Sequence, residues 1–311
     1  MARICNLTEL SPGPPVALTI GVFDGVHRGH QVLIGEAVRR ARLLGGQCIA
    51  LTFYPHPRAV LMPGATVYEL TSFTERLELI AALGVDVVAT LEFTRALSML
   101  SAEAFIELAQ QHIALRELVV GSDFALGRNR AGTVPRLREI GQGRGFAVHA
   151  IEPIDLGGIR VSSSKVREVI AAGDIETATR LLGRFPRLEG IVVAGHKRGR
   201  TLGFPTANLA LTAPYLLPAN GIYAVYAETD GTSLPGVANI GTRPTFGDND
   251  RLVEVYVLDF DGDLYGRRLG VHLVKRLRDE VRFASVGALV EQMRRDAAAA
   301  RAALAVQDRA G

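Results

Sequence analysis

The sequence predicts two domains: a doubly wound α/β domain, then an antiparallel β-barrel that ends in one long helix. Three observations predict it. The first half alternates apolar, strand-like runs with segments of helical period. After about residue 183 the rhythm changes to short strands separated by Gly and Pro turns. The final stretch, residues 286–306, is alanine-rich and free of proline, which favours a helix. A chain of 311 residues is long for a single core and comfortable for two.

Each element has its own signal. Residues 16–23 are almost wholly apolar, as in a strand buried on both faces. Residues 29–44 place Val32, Leu33, Val38, Ala41 and Leu44 at helical spacing, and Gly45-Gly46 stops that helix. Residues 49–53 read as a strand, 74–83 as a helix ended by Gly84, and 86–91 as a strand. Residues 102–113 read as a helix with Ser101 as its N-cap. A short strand over 118–120, a further helix and a strand over 146–151 complete the domain. Two helices follow, 164–172 and 175–182, broken at Gly173-Asp174. The division falls near residues 183–186, giving domains 1–184 and 185–311. Barrel strands are expected at 190–194, 207–211, 222–228, 236–240, 253–260 and 270–276, with Asp230-Gly231 and Asp261-Gly262 as hairpin dipeptides.

Composition narrows the function classes. No apolar run approaches the roughly 20 residues that a bilayer requires, so no membrane partner is expected. No apolar leader segment is seen near residue 1, and the expected location is cytoplasmic. Two cysteines, Cys5 and Cys48, cannot build a disulfide framework or a Cys-rich zinc site. Net charge is +3, with no basic tail and no basic stripe interleaved with aromatics. Small anionic ligands such as nucleotides therefore fit better than nucleic acid. A monomer or weak homo-oligomer is expected.

The first candidate site closes the first strand and opens the first helix, in the run Gly21-Val22-Phe23-Asp24-Gly25-Val26-His27-Arg28-Gly29-His30. Glycines allow a sharp turn and a close backbone approach. The helix start offers free N–H groups to an anion. His27 and His30, three apart, can meet one phosphate. A turn carrying two surface histidines is the plain alternative; the position after the first strand favours phosphate chemistry. Such a site suits nucleotidyl transfer, which needs positioning and charge stabilisation rather than an enzyme nucleophile. A second cradle is Arg160-Val161-Ser162-Ser163-Ser164-Lys165-Val166-Arg167, just before a helix. Its hydroxyls and N–H groups can hold phosphate with charge from Arg160, Lys165 or Arg167, and one serine can equally be an N-cap.

In the second half, residues 195–208 read Gly-His-Lys-Arg-Gly-Arg-Thr-Leu-Gly-Phe-Pro-Thr-Ala-Asn. The loop carrying Gly195, Arg200 and Gly203 can fold over phosphates, although it is not a Walker A motif. Thr206 and Asn208, two apart on a strand, present oxygens to one face. Few, hard oxygen ligands suit Mg²⁺ that keeps waters and nucleotide phosphates; a polar pair on an edge strand is the alternative. Alternation puts Glu254 on the face of Leu252 and Tyr256, opposite Val253, Val255 and Val257. It reads as an exposed strand glutamate or as a general base.

The runs 21–30, 52–57 (Thr-Phe-Tyr-Pro-His-Pro), 121–124 (Gly-Ser-Asp-Phe), 162–167 and 195–208 together resemble the bacterial bifunctional riboflavin kinase/FAD synthetase family, over about residues 16–300. The resemblance implies a Rossmann-like nucleotidyltransferase domain followed by a Greek-key barrel of riboflavin kinase type. It implies phosphorylation of riboflavin to FMN, then adenylylation of FMN to FAD, with ATP and Mg²⁺. His27, His30, Ser163 and Arg160 would contact ATP phosphates, within a nucleotide site that includes Gly21, Phe23, Gly25, Gly29, Ser162, Ser164 and Arg167. Asp123 would lie at the nucleotide–flavin junction, and Phe53, Pro57 and Phe124 against the flavin. Glu254 would take the proton of the ribityl 5′-hydroxyl, and the loop 241–247, with Thr245 and Phe246, would enclose the flavin. Two positions depart from the family pattern: Leu126 stands where a second aromatic is usual, and Ser164 where threonine is usual. Two other readings stay open: a riboflavin kinase with an altered adenylyltransferase half, and a flavin-binding regulatory protein.

Overall fold

A computed structural model describes residues 2–194, 203–242 and 251–308. The chain forms two compact units, Met1–Val67 with Phe73–Ser162, and Tyr68–Ser72 with Ser163–Gly311.

The first unit is built on a parallel sheet of six strands: β1 (Arg3–Asn6), β2 (Pro15–Ile20), β3 (Gln47–Tyr54), β4 (Val87–Glu92), β5 (Ala114–Gly121) and β8 (Ala147–Ile151). Their order is β1-β4-β3-β2-β5-β8. Five helices accompany it: α1 (Arg28–Leu43), α2 (Pro57–Leu61), α3 (Phe73–Ala81), α4 (Arg95–Ser98) and α5 (Ala102–His112). A two-strand ribbon, β6 (Ala125–Leu126) with β7 (Gly132–Thr133), leads into α6 (Val134–Arg144). The strands read as unbroken apolar runs because both faces are covered. Val16, Leu18 and Ile20 join the core with Phe105 and Leu137, while Ala17 joins the opposite core with Ile34, Ala37 and Ile80. From β2 the chain winds outward through β3 and β4, then returns to the other side of β2 through β5 and β8. The strand order thus reverses at β2, and in an open α/β sheet such a reversal marks the ligand crevice at the strands' carboxyl ends.

The second unit begins with α7 (Ser163–Ala171) and α8 (Ile175–Leu182). A closed barrel follows, of β9 (Arg187–Val193), β10 (Ala207–Leu211), β11 (Gly221–Thr229), β12 (Thr232–Thr242), β13 (Arg251–Val257) and β14 (Arg268–Arg278), in the order β10-β13-β12-β11-β14-β9. Every pairing is antiparallel. Strands β11, β12 and β13 run consecutively and β14 returns beside β11, which is a Greek key. Residues 68–72 hydrogen-bond to the loop before β11, through Glu69 N to Pro214 O at 2.8 Å and Leu216 N to Glu69 O at 2.9 Å. The long C-terminal helix α9 (Val286–Asp308) covers one outer face, where Ala300 and Leu304 pack on Ala224, Leu258 and Val274. Arg278 anchors it with a two-pronged pair to Asp296, at 2.9 and 2.7 Å.

Asp230 and Gly231 form the β11–β12 turn, both with positive φ (49° and 74°), as a two-residue hairpin requires. Asp261-Gly262 does not make the expected hairpin. Strands β13 and β14 are not neighbours in the barrel, so the dipeptide lies in a longer connection between them. The sequence places the domain division after residue 184, whereas the packing puts α7 and α8 with the barrel. Ile175 joins the barrel core, and Glu176 pairs with Lys275 of β14 at 3.2 Å. Among the described residues, no helix is long and apolar enough to cross a membrane.

Candidate active sites

The carboxyl end of β2 leads into a tight turn. Phe23, Gly25 and Val26 all take positive φ (53°, 78° and 39°), and Gly25 is the one residue there without strain. A side chain at Gly21 would fall within 2.8 Å of the Phe23 ring. Bonds that hold the turn include Thr52 Oγ1 donating to Val22 O at 3.1 Å, Gln31 Nε2 to Val26 O at 2.9 Å, and Val26 N to Phe23 O at 2.9 Å.

Beneath the turn lie two charges. Asp24 is 2% exposed and Arg76 of α3 is fully buried, with Arg76 Nη2 3.6 Å from Asp24 Oδ1. The Arg76 guanidinium also sits over the Phe73 ring, 5.7 Å from its centroid. Motif spacing alone assigns neither Asp24 nor Arg76 a role. The signal was present: Arg76 stands among Phe73, Leu77 and Ile80, on the apolar stripe of its helix, where a charge needs a buried partner.

His27 is the N-cap of α1, and its Nδ1 accepts from His30 N at 3.2 Å. Neutral His27 therefore carries its proton on Nε2. The two imidazoles stack, 3.6 Å apart and 17° from parallel, and the edge of Phe23 meets His30 at 5.3 Å. Burial, reinforced by His27 and Arg76, holds His30 well below the usual imidazole range. This site thus presents the His27 and His30 rings and helix-start N–H groups, a set suited to holding an anion by hydrogen bonds.

At the neighbouring carboxyl end, β5 runs into Gly121, Ser122 and Asp123. Asp123 Oδ2 accepts from Arg160 Nη2 at 3.1 Å, and Arg130 Nη2 donates to Asp123 O at 3.1 Å. Asp123 and Arg160 are both exposed, so their pair adds little stability and leaves both groups open to ligand. Phe124 is half-buried against the core, and Leu126 is buried in it. Phe53, expected against flavin, packs into that core with 9% exposure, edge-on to Phe93 at 5.7 Å. Pro57 occupies the first turn of α2, capped by His56. Ser162 ends the first unit; Ser163, Ser164 and Arg167 lie in the first turns of α7, where Lys165 is paired with Glu168 at 2.6 Å.

In the barrel, Val253, Val255 and Val257 fill the interior, which places Glu254 on the outer wall with Tyr256, as alternation predicts. Glu254 stands opposite Asn208 in the β10–β13 register and opposite Asn239 in the β12–β13 register. Paired positions share a face at about 5 Å between Cβ atoms, so the three polar residues form one row across three strands. Asn208 is 6% exposed. Thr206 lies two residues before it, and Phe204 meets Tyr256 edge to face at 5.2 Å. Asn239 was not legible in the sequence, because pairing register is not visible in a single strand. Gly203 is exposed with φ of 82°. Gly195, Arg200, Thr245 and Phe246 lie outside the described residues.

Among the described residues, no three His, Cys, Asp or Glu side chains are grouped to hold a metal. An amide set opposite a carboxylate, with a threonine two residues before the amide, suits a hard cation that draws its remaining ligands from water and phosphate. Both arrangements offer groups suited to phosphate, and one adds a carboxylate suited to receiving a proton. Such chemistry suits a nucleotide-dependent transferase. Comparison with known proteins narrows the class. The FAD synthetase family model matches residues 12–165 and the riboflavin kinase model residues 182–304. The chain is 43% identical to the bifunctional riboflavin kinase/FMN adenylyltransferase of Pseudomonas fluorescens, over 91% of each chain. It is 39% identical to the enzyme of that name from Escherichia coli K12, over 96% of this chain and 95% of the relative. A solved structure described as a macrolide-efflux protein from Streptococcus pneumoniae superposes with a TM-score of 0.89 at 29% identity, covering 97% of this chain and 99% of its own. The chain belongs to the bifunctional riboflavin kinase/FMN adenylyltransferase family.

Proposed function

We propose that residues 1–184 transfer AMP from ATP to FMN and that residues 185–311 transfer the γ-phosphoryl of ATP to riboflavin. The chain is a bifunctional enzyme of FAD biosynthesis, making FMN from riboflavin and then FAD with release of pyrophosphate. The observation that carries the reading is Glu254 standing opposite Asn208, which sets a carboxylate beside an amide on one face.

In the kinase half, Glu254 takes the proton of the ribityl 5′-hydroxyl as its oxygen attacks the γ-phosphorus and ADP leaves. Thr206 and Asn208 would hold Mg²⁺, which when bound would offset charge on the phosphates. Gly195, Arg200 and Gly203 close over the nucleotide, and Thr245 and Phe246 over the flavin. In the adenylyltransferase half, a phosphate oxygen of FMN attacks the α-phosphorus and pyrophosphate leaves. His27 Nε2–H, His30 and the start of α1 stabilise charge on the phosphates. Arg160 adds a cation, and Asp123 orients the nucleotide–flavin junction. Ser162, Ser163, Ser164 and Arg167 serve the same phosphates. Phe124 and Pro57 offer apolar surface to the flavin; the Phe53 ring is shared with the core.

The test is the purified full chain with riboflavin, ATP and Mg²⁺, with products separated by chromatography. FMN followed by FAD is the expected outcome. FMN alone would assign the chain an altered adenylyltransferase half, and flavin binding without turnover a regulatory role.

A further inference from the structure

The Oδ1 atom of Asn239 is a buried acceptor with no hydrogen-bond partner. Buried amide oxygens are rarely left so, and each such atom calls for an explanation. The two residues beside Asn239 cannot supply one. Across β13 stands Glu254, whose carboxylate accepts; across β11 stands Ile222, which has no polar side-chain atom. Two residues along the same face, the Glu280 carboxylate lies over Gly241 so closely that a side chain there would meet it. It too is an acceptor. Among these described neighbours none supplies a donor, which leaves the place open to a donor on the substrate.

The order of the row says which donor. Thr206 and Asn208, the proposed metal and nucleotide oxygens, lie on the β10 flank of Glu254, while Asn239 lies on the β12 flank. In an in-line phosphoryl transfer the donor phosphate and the acceptor alcohol approach from opposite sides, and the base must touch the alcohol. The nucleotide therefore occupies the β10 side and the alcohol the β12 side. The alcohol is the end of a chain that bears further hydroxyls, each a donor.

We propose that Asn239 binds a secondary hydroxyl of the ribityl chain and sets the terminal hydroxyl against Glu254. The inference rests on the kinase reading of the barrel. A residue that hydrogen-bonds a substrate hydroxyl discriminates against the analogue that lacks it.

The experiment compares riboflavin with a flavin carrying a 5-hydroxypentyl chain, which keeps the terminal hydroxyl and loses the others. Phosphorylation is followed in the full chain at saturating ATP. Circular dichroism and the thermal midpoint, compared with the parent chain, report that the barrel is folded. The wild-type chain is expected to favour riboflavin, and Asn239→Ala to reduce that preference about tenfold or more through KM for riboflavin, with KM for ATP unchanged. Asn239→Ser, which keeps an oxygen, should fall between the two. A wild-type preference retained in Asn239→Ala overturns the assignment. So does a shifted pH profile of kcat with KM for riboflavin unchanged, which would make Asn239 a positioning residue for Glu254. A wild-type chain that phosphorylates neither flavin overturns the kinase reading itself.

Discussion

The imidazole rings of His27 and His30 lie face to face, 3.6 Å between centroids. Two imidazolium charges at that separation would repel strongly, and His30 Nδ1 is buried without a hydrogen-bond partner. His30 is therefore neutral in the folded state, with its pKa depressed first by burial, then by His27 and Arg76. The unfolded chain takes a proton on this residue below about pH 6.5, where the folded chain refuses it. Stability then falls as pH falls from that value, by up to about 1.4 kcal/mol per pH unit for the one proton. Urea unfolding of His30→Gln should show a flatter decline between about pH 6.5 and 5 than the parent chain. An identical decline would mean that His30 is protonated in the fold.

His27 has two separable duties. As N-cap it accepts from His30 N at 3.2 Å, and under the proposed function its Nε2–H serves the phosphates. Asparagine caps helices well, so His27→Asn should retain most of the roughly 1 kcal/mol that His27→Ala loses. Both substitutions should slow FAD formation. A His27→Asn chain as stable as the parent and equally active would confine His27 to capping.

The buried Asp24–Arg76 pair supports the strained turn from below. Removing one partner of such a pair leaves the other charge less well compensated and costs up to about 3–5 kcal/mol, while removing both can be nearly neutral. Asp24→Asn alone and Arg76→Met alone should each lower the thermal midpoint of the adenylyltransferase half, and the double variant should recover part of the loss. Additive losses would show that the pair is not coupled.

The sequence shows the parallel domain, the barrel and the terminal helix because each has a period or a composition that survives in one dimension. It hides β1, α4 and the β6–β7 ribbon, which have six residues or fewer and no period to detect. Spacing along the chain brings out His27, His30, Thr206 and Asn208. Residues made important by a partner elsewhere stay hidden: Arg76, which acts through Asp24, and Asn239, which acquires its place only through the β12–β13 register. Phe53 illustrates the converse. Its motif suggests a ligand contact, yet its ring points into the core with Phe93 and Phe105.

The central claim is that one chain keeps two ATP-dependent reactions at two separate sets of residues. Glu254→Gln tests it most directly, with riboflavin phosphorylation and FMN adenylylation assayed separately on one preparation. Loss of the base should cut FMN formation by about 10²-fold or more and leave conversion of supplied FMN to FAD within about twofold of the parent. A folded Glu254→Gln chain in which both rates collapse, or in which FMN formation persists, would contradict the account.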